Sequence, residues 1–398
     1  MDGRQLTDEF RAVIGRDHSI RHTYSDAQAP GNAPKNRYVN VLPYDHNRVL
    51  LRPCSAGALA PGPEAANGSL GAQHAANGAR VPRSGPAACA AGPGAVSASG
   101  SGSGSDYINA SHVVHCDDCC GFQLGYIACQ GPLAATVPDF WRMVWTEGVG
   151  AVVMLTNTVE RGVTKCSPYY PAAQGSRLQL RGPGAAPQGQ GGSRAAAGGQ
   201  GGCGCAAPSA ACVEAVVAEA SQGLHGGDLT YTQLCLLPAA EGAGAGPEGA
   251  GPGPQPRVVA HLRYNAWPDH GTPADAAAIR TLLDMLAPVR AAGRGVVVHC
   301  SAGIGRTGTF CAIDILRRRL GVLEQRAAER PGSVSAAEVQ AALDLPELVH
   351  SLRRQRGGMV QTLEQYAFCY QAVAEELAEG LEGPAGGAEG GTPRARAY

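Results

Sequence analysis

The run His299-Cys300-Ser301-Ala302-Gly303-Ile304-Gly305-Arg306-Thr307 gathers the residue types most able to do chemistry in this chain. Before it stands Gly295-Val-Val-Val-His299, which reads as a short buried strand. After it Phe310, Ile313, Leu316 and Leu320 recur at helical spacing. A loop at such a strand-to-helix junction aims successive backbone N–H groups, and the positive end of the helix dipole, at one point. Gly303 and Gly305 let that loop curl tightly. Arg306 can grip two phosphate oxygens with its fork. Cys300 lies at the base, a setting that stabilises a thiolate. A thiolate is a nucleophile able to attack a phosphate monoester without a metal. A lone cysteine there would read as core beside a helix cap. The histidine before it, the five residues separating it from Arg306, the glycines and the Thr307 hydroxyl favour an anion cradle.

The elements that must hold this loop alternate with low-complexity tracts. The chain has 398 residues with 56 Gly, 28 Pro and only 5% aromatic residues. The Gly, Pro, Ala and Ser excess collects near 53–105, 172–211 and 239–256, and in a tail at 381–398. These tracts carry too little apolar bulk to offset the entropy of ordering, so disordered insertions and a disordered tail are expected. The remaining ~285 residues suffice for one core. Residues 126–130, 149–156, 228–238 and 258–264 read as strands, the last two joined across the third insertion. Thr272-Pro273-Ala274-Asp275 predicts a capped helix start ahead of the apolar face Ile279, Leu282, Leu283 and Leu286. Further helices are predicted around 345–356 and 362–379. Strands interleaved with helices that concentrate after residue 270 imply an α/β (α+β) layered fold with a mixed central sheet.

Charge excludes some function classes. Lys+Arg 32 against Asp+Glu 33 gives a net −1, so no global field favours nucleic acid or an anionic membrane. No apolar run reaches 18 residues, which argues against membrane insertion. Met1 to Phe10 lacks the pattern of a secretory signal, and a cytoplasmic protein is expected, with the nucleus left open. The 14 cysteines are therefore expected to be reduced thiols. His112, His115, Cys116, Cys119 and Cys120 have zinc-like spacing, but a loop of unligated groups is the expectation. No metal and no cofactor are called for.

The cradle resembles the signature loop of the protein tyrosine phosphatases, and other stretches match that family in order. Lys35-Asn36-Arg37-Tyr38 resembles its phosphotyrosine-recognition loop. Asp106-Tyr-Ile-Asn-Ala-Ser111, Tyr126-Ile-Ala-Cys-Gln-Gly-Pro132 and Phe140-Trp141 resemble its next motifs. Val153-Met-Leu-Thr156 with Glu160 and Lys165-Cys166 is similar to its glutamate-loop region. Trp267-Pro268-Asp269-His270-Gly271 resembles its mobile acid loop, and Gln361-Thr362 with Gln365 its glutamine loop. The resemblance implies a single catalytic domain over 1–380 with a highly twisted sheet, and a part in signal transduction. It also implies metal-independent hydrolysis of phosphotyrosine in proteins through a phosphocysteine.

The resemblance assigns roles by position. Cys300 would be nucleophile, Arg306 phosphate ligand, Asp269 general acid and then base, and Gln361 the residue that positions water. Thr307 would donate to the departing sulfur. Substrate would be held by Tyr38 and by the cradle residues Ser301, Ala302, Gly303, Ile304 and Gly305. Gln365 would be a weaker copy of Gln361, or a helix-surface residue. His299, Trp267 and Glu160 would support: His299 bracing the cradle, Trp267 anchoring the acid loop, Glu160 holding the Arg306 fork. Asn36 and Arg37 read as structural, and Arg353, Arg354 and Arg356 as a solvated helix end. The pattern departs at Asn40, where an aspartate is common, which puts substrate-backbone binding in doubt. Tyr170 stands where a tryptophan is usual. A dual-specificity phosphatase, which lacks the Lys35–Tyr38 loop, and a catalytically weak phosphotyrosine-binding module are the alternatives. The oligomeric state is not legible.

Overall fold

The computed structural model describes residues 3–53, 105–117, 121–180, 212–239, 255–268 and 271–382. The strands are β1 (Arg48–Leu50), β2 (Tyr107–Asp117), β3 (Phe122–Cys129), β4 (Val149–Met154), β5 (Val159–Glu160), β6 (Val163–Thr164), β7 (Arg177–Gln179), β8 (Val213–Leu224), β9 (Leu229–Pro238), β10 (Arg257–Tyr264) and β11 (Gly295–His299). The helices are α1 (Gly3–Gly15), α2 (Ser25–Gln28), α3 (Val137–Thr146), α4 (Ala277–Ala291), α5 (Gly305–Glu329), α6 (Ala336–Ala342), α7 (Leu345–Arg353) and α8 (Leu363–Glu382). None of the described helices is long and apolar enough to cross a membrane.

Nine strands form one mixed, twisted sheet in the order β1-β2-β3-β11-β4-β10-β9-β8-β7. Its centre is parallel, with β11 between β3 and β4, and β10 beyond β4. The flanks are antiparallel. Central strands are covered on both faces, which is why β4 is buried at every position. The pleat splits each strand between two cores. Val296 and Val298 join one cluster with α4, α5, α7 and α8, while Val297 joins α3 in the other.

Several elements differ from the sequence expectation. Residues 172–180, which composition assigns to an insertion, contain β7, paired with β8. The sequence Val213-Glu-Ala-Val-Val-Ala-Glu-Ala of β8 has no clean strand signal; pairing with β9 and β7 makes it a strand. Helix α4 starts at Ala277, four residues or more after the predicted cap. Its first N–H groups are met instead by Glu375 Oε2 of α8 (to Ala276, 2.8 Å) and by Asp275 Oδ1 (to Ala277, 2.9 Å). Cys212 is disulfide-bonded, so thiols are not reduced throughout. Residues 54–104, 181–211, 240–254 and 383–398, which hold most of the tracts expected to be disordered, lie outside the described residues.

Helix α5 is buried on all sides from Gly305 to Leu316, so its polar residues need partners. Asp314 takes two: Tyr126 Oη donates to it at 2.7 Å, and the Arg290 fork of α4 reaches both its oxygens. Arg290→Leu would leave that carboxylate without its cation. The expected cost is about 2–3 kcal/mol, given that Arg290 is partly exposed. Urea denaturation measures it, and an unchanged midpoint would show the pair to be energetically silent.

Candidate active site

Three parallel strands end in line: His299 lies opposite Cys129 of β3 on one side and Met154 of β4 on the other. The chain then turns through Cys300 to Ile304 before α5 begins, so the loop sits at the carboxyl edge of the sheet centre. Its curl is enforced from behind. Arg356, fully buried, donates to Gly303 O (2.8 Å), Ala302 O (3.0 Å), Asn109 Oδ1 (2.8 Å) and Ser111 Oγ (3.1 Å). In a planar trans peptide the N–H points opposite to the C=O. With the carbonyl of Ala302 turned back to Arg356, the N–H of Gly303 faces forward, and it donates to Cys300 Sγ at 3.3 Å. Gly303 has φ +73°, and a Cβ there would lie 2.1 Å from Cys129 O. No other residue fits.

Arg306 projects from the first turn of α5 and is 7% exposed. Glu160 binds it with both oxygens, Nη1 to Oε1 at 2.7 Å and Nη2 to Oε2 at 2.9 Å. Glu160 is itself fixed by Thr156 Oγ1 and the N–H of Asn157, each donating to Oε1 at 3.0 Å. The guanidinium also donates to Leu155 O (2.9 Å) and to Pro268 O (3.2 Å). The last contact ties the arginine to the residue before Asp269. Asp269 and His270 lie outside the described residues. The loop's base is anchored by Trp267, 2% exposed, whose Nε1 donates to Gly271 O at 3.0 Å and whose ring meets Tyr264 and Phe368.

The 35–38 segment forms one wall. Tyr38 Oη and Ser301 Oγ are 2.8 Å apart, and Ser301 Oγ donates to Lys165 O. Lys35 pairs with Asp139, and Asn36 bonds Ala27 O and accepts from Asn109 Nδ2. Arg37 donates to Gly131 O and Pro132 O, besides Thr164 O of β6. These three residues hold the loop, and Tyr38 stands at the cradle.

On the opposite side Gln361 and Gln365 both lie over Gly305, where an added Cβ would meet Gln361 Oε1 at 3.1 Å and Gln365 at 3.0 Å. Gln365 is buried, so the helix-surface alternative does not hold; its Oε1 accepts the N–H of Gln361 at 3.0 Å. Val360, just before, has φ +55°, which costs a β-branched residue about 1–3 kcal/mol. Both sides hold it there. Its N–H donates to Ile304 O, and Arg353 donates to the carbonyls of Met359 and Val360. Gly308 admits this close approach, since a Cβ would sit 2.3 Å from Val360 N.

Beneath Cys300 runs a buried polar column. His299 Nδ1 lies 3.1 Å from Cys300 O, so it carries the proton and Nε2 accepts from Tyr169 Oη at 2.7 Å. Tyr169 Oη then accepts from His261 Nε2 at 2.8 Å. Burial pushes His299 down to about 4 and His261 well below the ordinary imidazole value. Both rings are neutral.

Other positions stand differently from the sequence expectation. Arg353 and Arg356 are buried supports of the glutamine loop and the cradle, not a solvated helix end. Nothing in their spacing reveals this: Arg353 reaches two loop carbonyls after its helix and the Asp17 carboxylate, and Arg356 reaches carbonyls and side chains 53 to 247 residues away. Thr307 Oγ1 is buried without a hydrogen-bond partner, and so does not donate to Cys300 Sγ here. His112 and His115 pair with Ile127 and Leu124, which belong to different cores, so the two imidazoles leave opposite faces of β2 and cannot share an ion. Cys119 and Cys120 lie outside the described residues.

Two outcomes follow. Arg356→Lys cannot reach four acceptors with one ammonium, and a loss of about 2–4 kcal/mol is expected in urea denaturation; an unshifted midpoint would mean the cradle carbonyls are otherwise satisfied. The histidines set the acid limit. Below 6.5 the unfolded chain takes up protons that folded His299 resists until about 4. Stability should therefore fall with pH through that window by up to about 1.4 kcal/mol per unit for each such histidine. Urea midpoints at pH 7 and pH 5 read this, and His261→Asn should flatten the slope.

The sequence matches the family model "Protein-tyrosine phosphatase" over residues 32–182 and 247–375. It is 28% identical over 386 residues to the protein-tyrosine-phosphatase PTP1 of Arabidopsis thaliana, covering 92% of this chain and 82% of that protein. It is 30% identical to a tyrosine-protein phosphatase Lar-like of Caenorhabditis elegans and 29% to the human receptor-type tyrosine-protein phosphatase C, in each case over 94% of this chain. It spans only 12% and 20% of those two longer proteins. With the cradle geometry, these matches mean that the chain belongs to the protein-tyrosine phosphatases, a family of phosphoric monoester hydrolases.

Proposed function

We propose that this chain removes phosphate from phosphotyrosine in proteins, without a metal, through a phosphocysteine on Cys300. The observation that carries the reading is the junction of β11 and α5. There the cysteine sulfur accepts the forward-facing N–H of Gly303, and the fork of Arg306, in the first turn of the helix that follows, is held by a buried carboxylate.

In the first step the Cys300 thiolate attacks phosphorus and the P–O bond to tyrosine breaks. The leaving phenolate, with a pKa near 10, needs a proton. Asp269 would supply it, from a loop whose base Arg306 and Trp267 hold beside the cradle. The cradle N–H groups and Arg306 would take up the charge that develops on the phosphoryl oxygens. In the second step water attacks phosphorus and the P–S bond breaks, returning the thiolate. Asp269, now a carboxylate, accepts the water proton. Gln361, fixed by Gln365, is suited to orient that water. The unpartnered hydroxyl of Thr307 is available to the sulfur as its charge returns. Tyr38, its hydroxyl on Ser301, would wall the pocket so that a phenyl ring stacks and a short phosphoserine falls short of Cys300.

Metal-free assays on phosphotyrosyl, phosphoseryl and phosphoinositide substrates test the reading, with release expected only from the first. Cys300→Ser should end turnover and keep phosphotyrosyl peptide binding; residual turnover would remove the mechanism. Asp269→Ala should slow phosphotyrosyl hydrolysis by about 10²–10⁴-fold, and should matter less for esters with better leaving groups. Equal losses for all leaving groups would exclude Asp269 as the acid.

A further inference from the structure

We propose that the rim of this pocket selects phosphotyrosyl segments carrying apolar side chains next to the phosphotyrosine, with Val39 and Val163 as the selecting residues. The proposal rests on the phosphotyrosine reading of the site and adds a preference to it.

Among the described residues, the three most exposed large hydrophobics are Val39 (91%), Val163 (57%) and Val159 (54%). All three lie on the two segments that flank the cradle. Single exposed aliphatic residues are ordinary, but the two most exposed, Val39 and Val163, stand on the two segments beside one pocket. Val39 directly follows Tyr38, whose hydroxyl meets Ser301 of the cradle. Val163 sits in the β5–β6 hairpin opposite Glu160. Residues opposed in an antiparallel pair project to the same face. Val163 therefore shares the face on which Glu160 holds Arg306, at its outer, exposed edge. Val159 is paired with Thr164 and projects to the other face. Arg37 stitches the two segments together by donating from Nη1 to Thr164 O, between Val39 on one and Val163 on the other.

The charges nearby are already committed. Lys35 is spent on Asp139 and Tyr107 O, and Arg37 on three carbonyls. Asn40 is neutral and exposed. Arg161 and Lys165, on and after the hairpin, are also engaged. What the 38–41 segment offers a peptide beside the phosphotyrosine is thus a bare isopropyl group and an amide. An apolar neighbour on the substrate would cover Val39 and Val163, removing both partners from water. An acidic neighbour would leave the valines exposed and would find the nearest cations already hydrogen-bonded, Lys35 to a carboxylate and Arg37 to three carbonyls.

The test uses the full chain with Cys300→Ser and four phosphotyrosyl peptides differing only in the residues on either side of the phosphotyrosine: Val, Ser, Asp or Lys. The Val peptide should bind about fivefold to tenfold more tightly than the Asp peptide. Val39→Asp with Val163→Asp should erase that ranking, while Val159→Asp, on the other face, should leave it. Val39→Arg should turn the ranking toward the Asp peptide, and added salt should weaken this effect. Equal affinities, or a preference for the Asp peptide in the unaltered rim, would overturn the proposal. Turnover of p-nitrophenyl phosphate by the protein with Cys300 intact separates the two readings. Turnover with a flat ranking removes the rim alone, whereas an apolar ranking without turnover removes the hydrolase reading and leaves the rim.

Discussion

The cradle depends on one buried cation. Arg356 is shielded from water on every side, and its hydrogen-bond acceptors are two carbonyls, an amide and a hydroxyl. None of these is a carboxylate. A desolvated guanidinium held by neutral groups is costly, and burial lowers its pKa accordingly. Two things offset that cost. The carbonyls of Ala302 and Gly303, which would otherwise face the pocket, are turned behind it. The positive charge also stays uncancelled behind the spot where an anion would sit, in surroundings of low dielectric.

Arg306 follows the opposite logic. Its charge is balanced by Glu160, so the pair adds little net field, but both forks are locked by geometry. Glu160 can do this because the two-residue strands β5 and β6 make a tight hairpin, and because Thr156 and Asn157 hold its Oε1. One arginine thus supplies field and backbone orientation, and the other supplies a fixed fork. Exchanging their partners would cost both functions. A carboxylate at Arg356 would cancel the field, and a neutral partner at Arg306 would free its fork to rotate.

How much of this was legible varies with the range of the interaction. The Cys300–Thr307 cradle, β11, α5 and the β9–β10 pair are local patterns, and the sequence carries them plainly. Glu160 and Gln361 were reachable only through family resemblance, because the contacts they make span over a hundred residues or depend on a loop packed on Gly305. The roles of Arg353 and Arg356 were not legible at all. An arginine near a helix end has the same composition whether it faces water or a carbonyl. β7 and β8 were missed for a related reason. Their residues have weak strand character, and long-range pairing decides their conformation. The predicted start of α4 is displaced, because its first N–H groups are met by Asp275 and by a glutamate on α8 rather than by Thr272.

The histidine before the nucleophile invites a different account, in which an imidazolium holds the thiolate as an ion pair. Burial rules against it. Both rings are closed off from water, which pushes His299 down to about 4 and His261 well below the ordinary imidazole value. With both rings neutral the column is complete: Tyr169 donates to His299 and accepts from His261. The field at Cys300 must then come from the backbone N–H groups, the helix end and the uncancelled guanidinium of Arg356. His299 contributes by donating Nδ1–H to the Cys300 carbonyl, which fixes the peptide plane from which the whole cradle starts.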